Sequence, residues 1–81
     1  MEKEIFESIR EILANKENVK VEGLKLESNL KTDLGLDSLD VVELLMELEK
    51  KYMIHIQDSD VTKINTIKDI INVVVKSINS K

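Results

Sequence analysis

The sequence predicts an all-α fold of three longer helices and a short helical segment before the last, with a long first loop. Three observations predict it. Apolar side chains recur at helical spacing in three separate windows. No proline interrupts them anywhere along the 81 residues. Phe6 and Tyr52 are the only aromatic residues, so the core of this short chain must be modest and aliphatic, built from Leu, Ile and Val.

The first helix is expected over residues 3–15. There Ile5, Ile9, Ile12 and Leu13 share a face, and Glu2, Glu4 and Glu7 sit toward the positive end of the helix dipole. From Asn15 to Asp37 no period persists, and a structureless connection of that length is unusual in a compact domain. Val19, Val21, Leu24, Leu26, Leu30, Leu34 and Leu36 are therefore expected to pin an ordered loop, with room for a short turn of helix inside it. Gly23 and Gly35 are the only glycines, and Gly35 is placed to turn the chain into the next helix.

The second helix is expected over residues 38–52, its end marked by Lys50 and Lys51, which complement the negative end of the dipole. A short helix over residues 58–63 follows, with Asp58 or Ser59 as its expected cap. The last helix, residues 66–78, opens with Thr66 and Asp69 at capping-box spacing. Ile67, Ile70, Ile71, Val74 and Ile78 form its apolar stripe, and this longer period favours helix over strand for Val73-Val74-Val75. Fraying is expected from Ser77 onward. Residues 1–81 read as a single domain.

The formal net charge is −4, from 16 acids and 12 bases. Six of the acids, Asp33, Asp37, Asp40, Glu43, Glu47 and Glu49, fall in a stretch that contains no Lys or Arg. The negative charge is thus concentrated there, which argues against nucleic acid as a partner of that surface and for a basic protein. The absence of Cys removes disulfides, thiolate metal sites and cysteine nucleophiles. No apolar run is long enough to cross a bilayer, and the charged Met1-Glu2-Lys3-Glu4 does not read as a signal peptide. The expectation is a cytoplasmic protein without membrane insertion.

Asp58-Ser59-Asp60-Val61-Thr62 begins like a calcium loop, but Lys63 stands where such a loop needs glycine, so no metal site is expected. His55, alone between Ile54 and Ile56, reads as a loop or packing residue.

At about 100° per residue, Val41, Leu44, Leu45, Leu48 and Tyr52 share the side of the second helix that faces the core. Leu39, Val42 and Met46 fall on the opposite side, flanked by Glu43, with Asp40, Glu47 and Glu49 further round. Three aligned apolar residues rimmed by carboxylates suit a docking surface, and methionine adapts readily to different partners. The alternative is that the long loop covers them. Glu43 and Glu47, like charges one turn apart, slightly oppose helix formation, so folding alone does not account for them.

Ser38 stands where a helix cap belongs, and either Asp37 or Ser38 could fill that role. As a nucleophile it lacks the usual supports, since the only histidine is His55 and no G-x-S-x-G motif is present. A small serine hydrolase is the remotest reading. Modification of the hydroxyl by another enzyme remains open.

The segment Asp33-Leu34-Gly35-Leu36-Asp37-Ser38-Leu39-Asp40, followed by Val42-Glu43-Leu44 and Met46, closely resembles the acyl carrier proteins, whose signature is D-S-L after a D-L-G turn. In length and layout the likeness spans almost the whole chain. The resemblance implies the acyl-carrier type of four-helix bundle. It also implies a 4′-phosphopantetheine arm attached at Ser38 by a phosphopantetheinyl transferase, which draws on coenzyme A and magnesium. The arm's terminal sulfur would carry acyl groups as thioesters, which suits a chain without Cys.

Asp37, Leu39, Asp40, Val42, Glu43, Met46 and Glu49 are then the expected recognition positions for acyl-transferring, fatty-acid or polyketide synthesis enzymes with basic docking patches. The family can also shelter an acyl chain between its helices. The implied molecule is a monomeric carrier and not an enzyme. A specialised polyketide or aminoacyl carrier and an unmodified helical adaptor are the competing readings. Lys50-Lys51, Lys31-Thr32 and a proline-free His55-Ile56-Gln57 depart from the family pattern and bear on partner identity.

Overall fold

A computed structural model describes residues 1–16, 19 and 21–80. Four helices follow in order: α1 (Glu2–Ala14), α2 (Ser38–Tyr52), α3 (Asp58–Val61) and α4 (Ile67–Asn79). Each boundary has a local cause. Asp37 caps α2 by accepting from Asp40 N–H, while the Asp40 carboxylate accepts from Asp37 N–H, so two otherwise orphaned donors are satisfied reciprocally. Thr66 and Asp69 do the same for α4, as their spacing predicted. At the far end of α2, Met53 and Ile54 both donate to the Glu49 carbonyl, with Met53 in the left-handed region at φ 53°.

Two expectations about the helices need correction. The third helix ends at Val61, not Lys63, and its cap position is Gln57, which makes no side-chain capping bond. No residue of α3 is buried. The element is held by Val61 at the core's edge, by the Asp60–Lys76 ion pair at 3.5 Å, and by Ile56 before it and Ile64 after it, both in the core. The last helix continues through Asn79, so Ser77 is helical, and Lys81 lies outside the described residues.

α1, α2 and α4 pack against one another around an aliphatic core. Ile5, Ile9, Leu13, Leu44, Leu48, Ile67, Ile70 and Val74 are fully buried, each on the predicted face. Ile12, Tyr52 and Ile78 sit at the core's edge. The molecule measures 34 × 23 × 20 Å. Since one helix with its side chains is about 10–12 Å across, the bundle is two helices thick and has no depth for a large enclosed chamber.

α1 and α2 run antiparallel, tied near opposite ends. Ser8, buried on α1, gives its hydroxyl hydrogen to the Glu4 carbonyl and lies 2.8 Å from the Tyr52 hydroxyl at the end of α2. At the other end, the Lys16 ammonium reaches the first turns of α2.

The long loop is ordered by its leucines. Leu30, Leu34 and Leu36 are buried, and Val19, Val21 and Leu24 pack at the core's margin, whereas Leu26 is exposed and pins nothing by burial. Residues 17, 18 and 20 of this loop lie outside the described residues.

Asn29 starts a single helical turn. Its side-chain oxygen accepts from Lys31 and Thr32 N–H, and the Asp33 carboxylate accepts from Asn29 N–H. Gly35, at φ 71°, ends that turn and aims the chain at α2. The loop also completes α4. The Ser28 and Leu26 carbonyls accept from Ile67 and Lys68 N–H, two first-turn donors that have no partner inside the helix. Leu26 therefore contributes through its backbone, not its side chain.

Candidate functional site

The start of α2 brings Ser38 to the surface. Asp37 takes the capping role, which settles the alternative left open by the sequence. Ser38 is exposed, and its hydroxyl makes no hydrogen bond to any of the described residues. An alcohol that neither caps nor bonds is free for another enzyme to reach. His55 is far along the chain on the α2–α3 loop, paired at 3.5 Å with Glu49, and is no base for Ser38.

A groove of about 260 Å³ opens beside Ser38, between the start of α2, the turn after Asn29 and α3. Val41, Val42, Val61 and Ile64 give it apolar walls, and Asn29, Lys31 and Asn65 add polar atoms. Its residues fit a phosphate-linked, partly apolar arm. Ser38 offers the attachment oxygen, the exposed Lys31 a cation, and the valines a surface for methylene groups.

The apolar trio stands clear of the fold. Leu39, Val42 and Met46 are 67%, 42% and 50% exposed, so the long loop does not cover them. The predicted recognition acids divide into three kinds of environment. Asp37 and Asp40 are engaged in the capping box. Asp40 and Glu43 also share the Lys16 ammonium, at 3.9 and 3.6 Å. Glu49 points to the other flank, where its carboxylate accepts from Ile56 N–H at 2.8 Å and fixes the entry to α3. The structure thus gives Glu49 a positioning task in the fold. Among the described residues, Glu47 has no ion pair.

Lys16 was not legible as part of this surface. It lies more than 20 positions from the acids it meets, and only the antiparallel packing of α1 on α2 brings them together. Neither was the groove, whose walls come from three separate segments.

A small bundle that exposes an unengaged serine at a helix start, beside an acidic helix face with apolar residues on it, has the layout of a carrier module. Comparison with known proteins agrees. Residues 7–74 match the family model described as the phosphopantetheine attachment site. An acyl carrier protein of Campylobacter concisus is 43% identical over 72 residues, covering 89% of this chain and 94% of the relative. One of Wolinella succinogenes is 48% identical over 67 residues, covering 83% and 88%.

The crystal structure of an acyl carrier protein from Thermotoga maritima superposes with a TM-score of 0.87 at 32% identity, covering 98% of this chain and 92% of the other. The chain belongs to the acyl carrier protein family. Membership brings a covalently attached 4′-phosphopantetheine, which would supply the thiol that this polypeptide lacks. No helix among the described residues is long and apolar enough to cross a membrane.

Proposed function

We propose that residues 1–81 form one carrier domain, that Ser38 bears the phosphopantetheine, and that the loaded arm delivers acyl thioesters to fatty-acid or related biosynthetic enzymes. One observation carries the assignment of the serine: Ser38 is exposed at the first position of α2, its hydroxyl unbonded because Asp37 has taken the cap. The reading includes a monomer working in the cytoplasm, with partners that are basic proteins and neither nucleic acid nor membrane. Asp37, Leu39, Asp40, Val42, Glu43, Met46 and Glu49 are its recognition positions, as the resemblance implied.

Physical reasons support each part. Tethering holds an intermediate at high local concentration beside whichever enzyme has docked. The acids of α2 steer basic partners into an encounter, and the exposed Leu39, Val42 and Met46 supply modest contact area that permits release.

The test is intact-mass measurement after incubation with a phosphopantetheinyl transferase, coenzyme A and magnesium. Wild type should gain one phosphopantetheine and Ser38→Ala none. Addition to the Ser38→Ala variant would move the attachment site elsewhere. Mass analysis of protein isolated with its cargo from the native cell would then decide between fatty-acid and more specialised service.

A further inference from the structure

We infer that Lys16 is a built-in counter-cation of the docking face, which occupies Asp40 and Glu43 until a partner's basic side chain displaces it. The inference rests on the reading of α2 as that face. Between Asp33 and Glu49 the sequence has acids and no base, yet the fold brings the Lys16 ammonium to them. Lys16 follows the end of α1, its N–H bonded to the Leu13 carbonyl, and its ammonium lies 3.6 Å from Glu43 Oε1 and 3.9 Å from Asp40 Oδ1.

The Lys16 side chain is only 22% exposed, against 53% for Glu43, so its stem lies along the protein while its head is held between two carboxylates. A basic group arriving from solvent meets acids already partly neutralised. It must either displace the ammonium or add to it against like-charge repulsion. Lys16 therefore lowers the affinity of Asp40 and Glu43 for any single cation, and among the described residues it leaves Glu47 as the acid of this helix without an ion pair.

This makes Lys16 a specificity-determining residue. Partners with enough positive charge to outcompete it engage the whole face, and weaker ones are held off. A partly exposed pair of this kind supports an effect of about twofold to fivefold in affinity, largest at low ionic strength.

The experiment titrates labelled protein with a tri-arginine peptide and follows the Asp40, Glu43 and Glu47 amides by NMR at low and high salt. Lys16→Gln should bind the peptide about twofold to fivefold more tightly through Asp40 and Glu43, with the gain shrinking in salt. Lys16→Arg should match wild type. Lys3→Gln makes the same change in net charge at the opposite end of α1 and should leave those two amides nearly unaffected.

Equal gains from Lys16→Gln and Lys3→Gln, or unchanged or weaker binding in Lys16→Gln, would overturn the inference. Because the probe is a peptide, the result does not depend on attachment at Ser38. Phosphopantetheine uptake by the same samples, read by mass, reports separately on the proposed function.

Discussion

Ser38 is available because its neighbour does the structural work. Asp37 bonds the backbone of α2, so Ser38→Ala should abolish phosphopantetheine uptake and leave thermal stability nearly unchanged. Gly35 and Met53 provide a second contrast, since both adopt left-handed backbone and only one is glycine. An added Cβ at Gly35 would meet nothing within 4 Å, so Gly35→Ala should cost only the conformational penalty, about 1 kcal/mol in urea unfolding. Met53→Gly should go the other way, relieving that penalty at a surface position 79% exposed, for a net gain under about 1 kcal/mol once the greater freedom of the unfolded chain is counted. A loss of stability would show that the Met53 side chain does more than its exposure indicates.

At the scale of elements, the joint between the long loop and α4 is held by backbone bonds from Leu30 to Asn65, Ile67 to Ser28 and Lys68 to Leu26. Asp69 sits at its centre. Burial by itself would raise its carboxyl, but N–H groups of Asn65 and Thr66, the Thr66 side chain and nearby Lys68 together hold it below the ordinary aspartate value. A carboxyl lowered in the folded state stabilises the protein fully above its unfolded value, about pH 3.9, and loses that contribution as pH falls through the lower folded value. Asp69→Asn should therefore be less stable than wild type near pH 7, with the difference narrowing below about pH 4. Denaturant midpoints at several pH values measure this, and a constant difference down to pH 2 would remove Asp69 as the source. α3 is the opposite case. Without a buried residue or a side-chain cap, it should show the weakest hydrogen-exchange protection of the four helices.

For the whole molecule, the relevant quantity is where the charge lies. The face of α2 combines exposed Leu39, Val42 and Met46 with acids whose availability differs, Glu47 being open and Glu43 shared with Lys16. Glu47→Lys should weaken association with a phosphopantetheinyl transferase more at low salt than at 0.5 M salt, because exposed charges act through a screened field. Equal losses at both would point to direct packing and not steering. Met46→Ala should weaken the same complex with little dependence on salt. These two variants separate the electrostatic from the apolar part of docking.

Much of this was legible along the chain. The stripes of α1, α2 and α4, the Thr66–Asp69 box, the turn at Gly35 and the outward trio of α2 all depend on periods and caps spanning at most a few turns of helix. The α3 cap was not legible, because Asp58 and Ser59 are good caps in general, while the entry is set by Ile56 in the core and by Glu49, seven positions before Ile56.

Local rules therefore determined which segments become helices, which sides they bury, and that one serine begins the acidic helix. Tertiary packing alone decided that Lys16 stands among those acids, that a groove forms beside Ser38, and that the loop supplies carbonyls to α4. The reason is physical. Helical period and capping act between residues a turn or two apart, whereas a salt bridge, a groove or a borrowed backbone bond exists only after distant segments have packed.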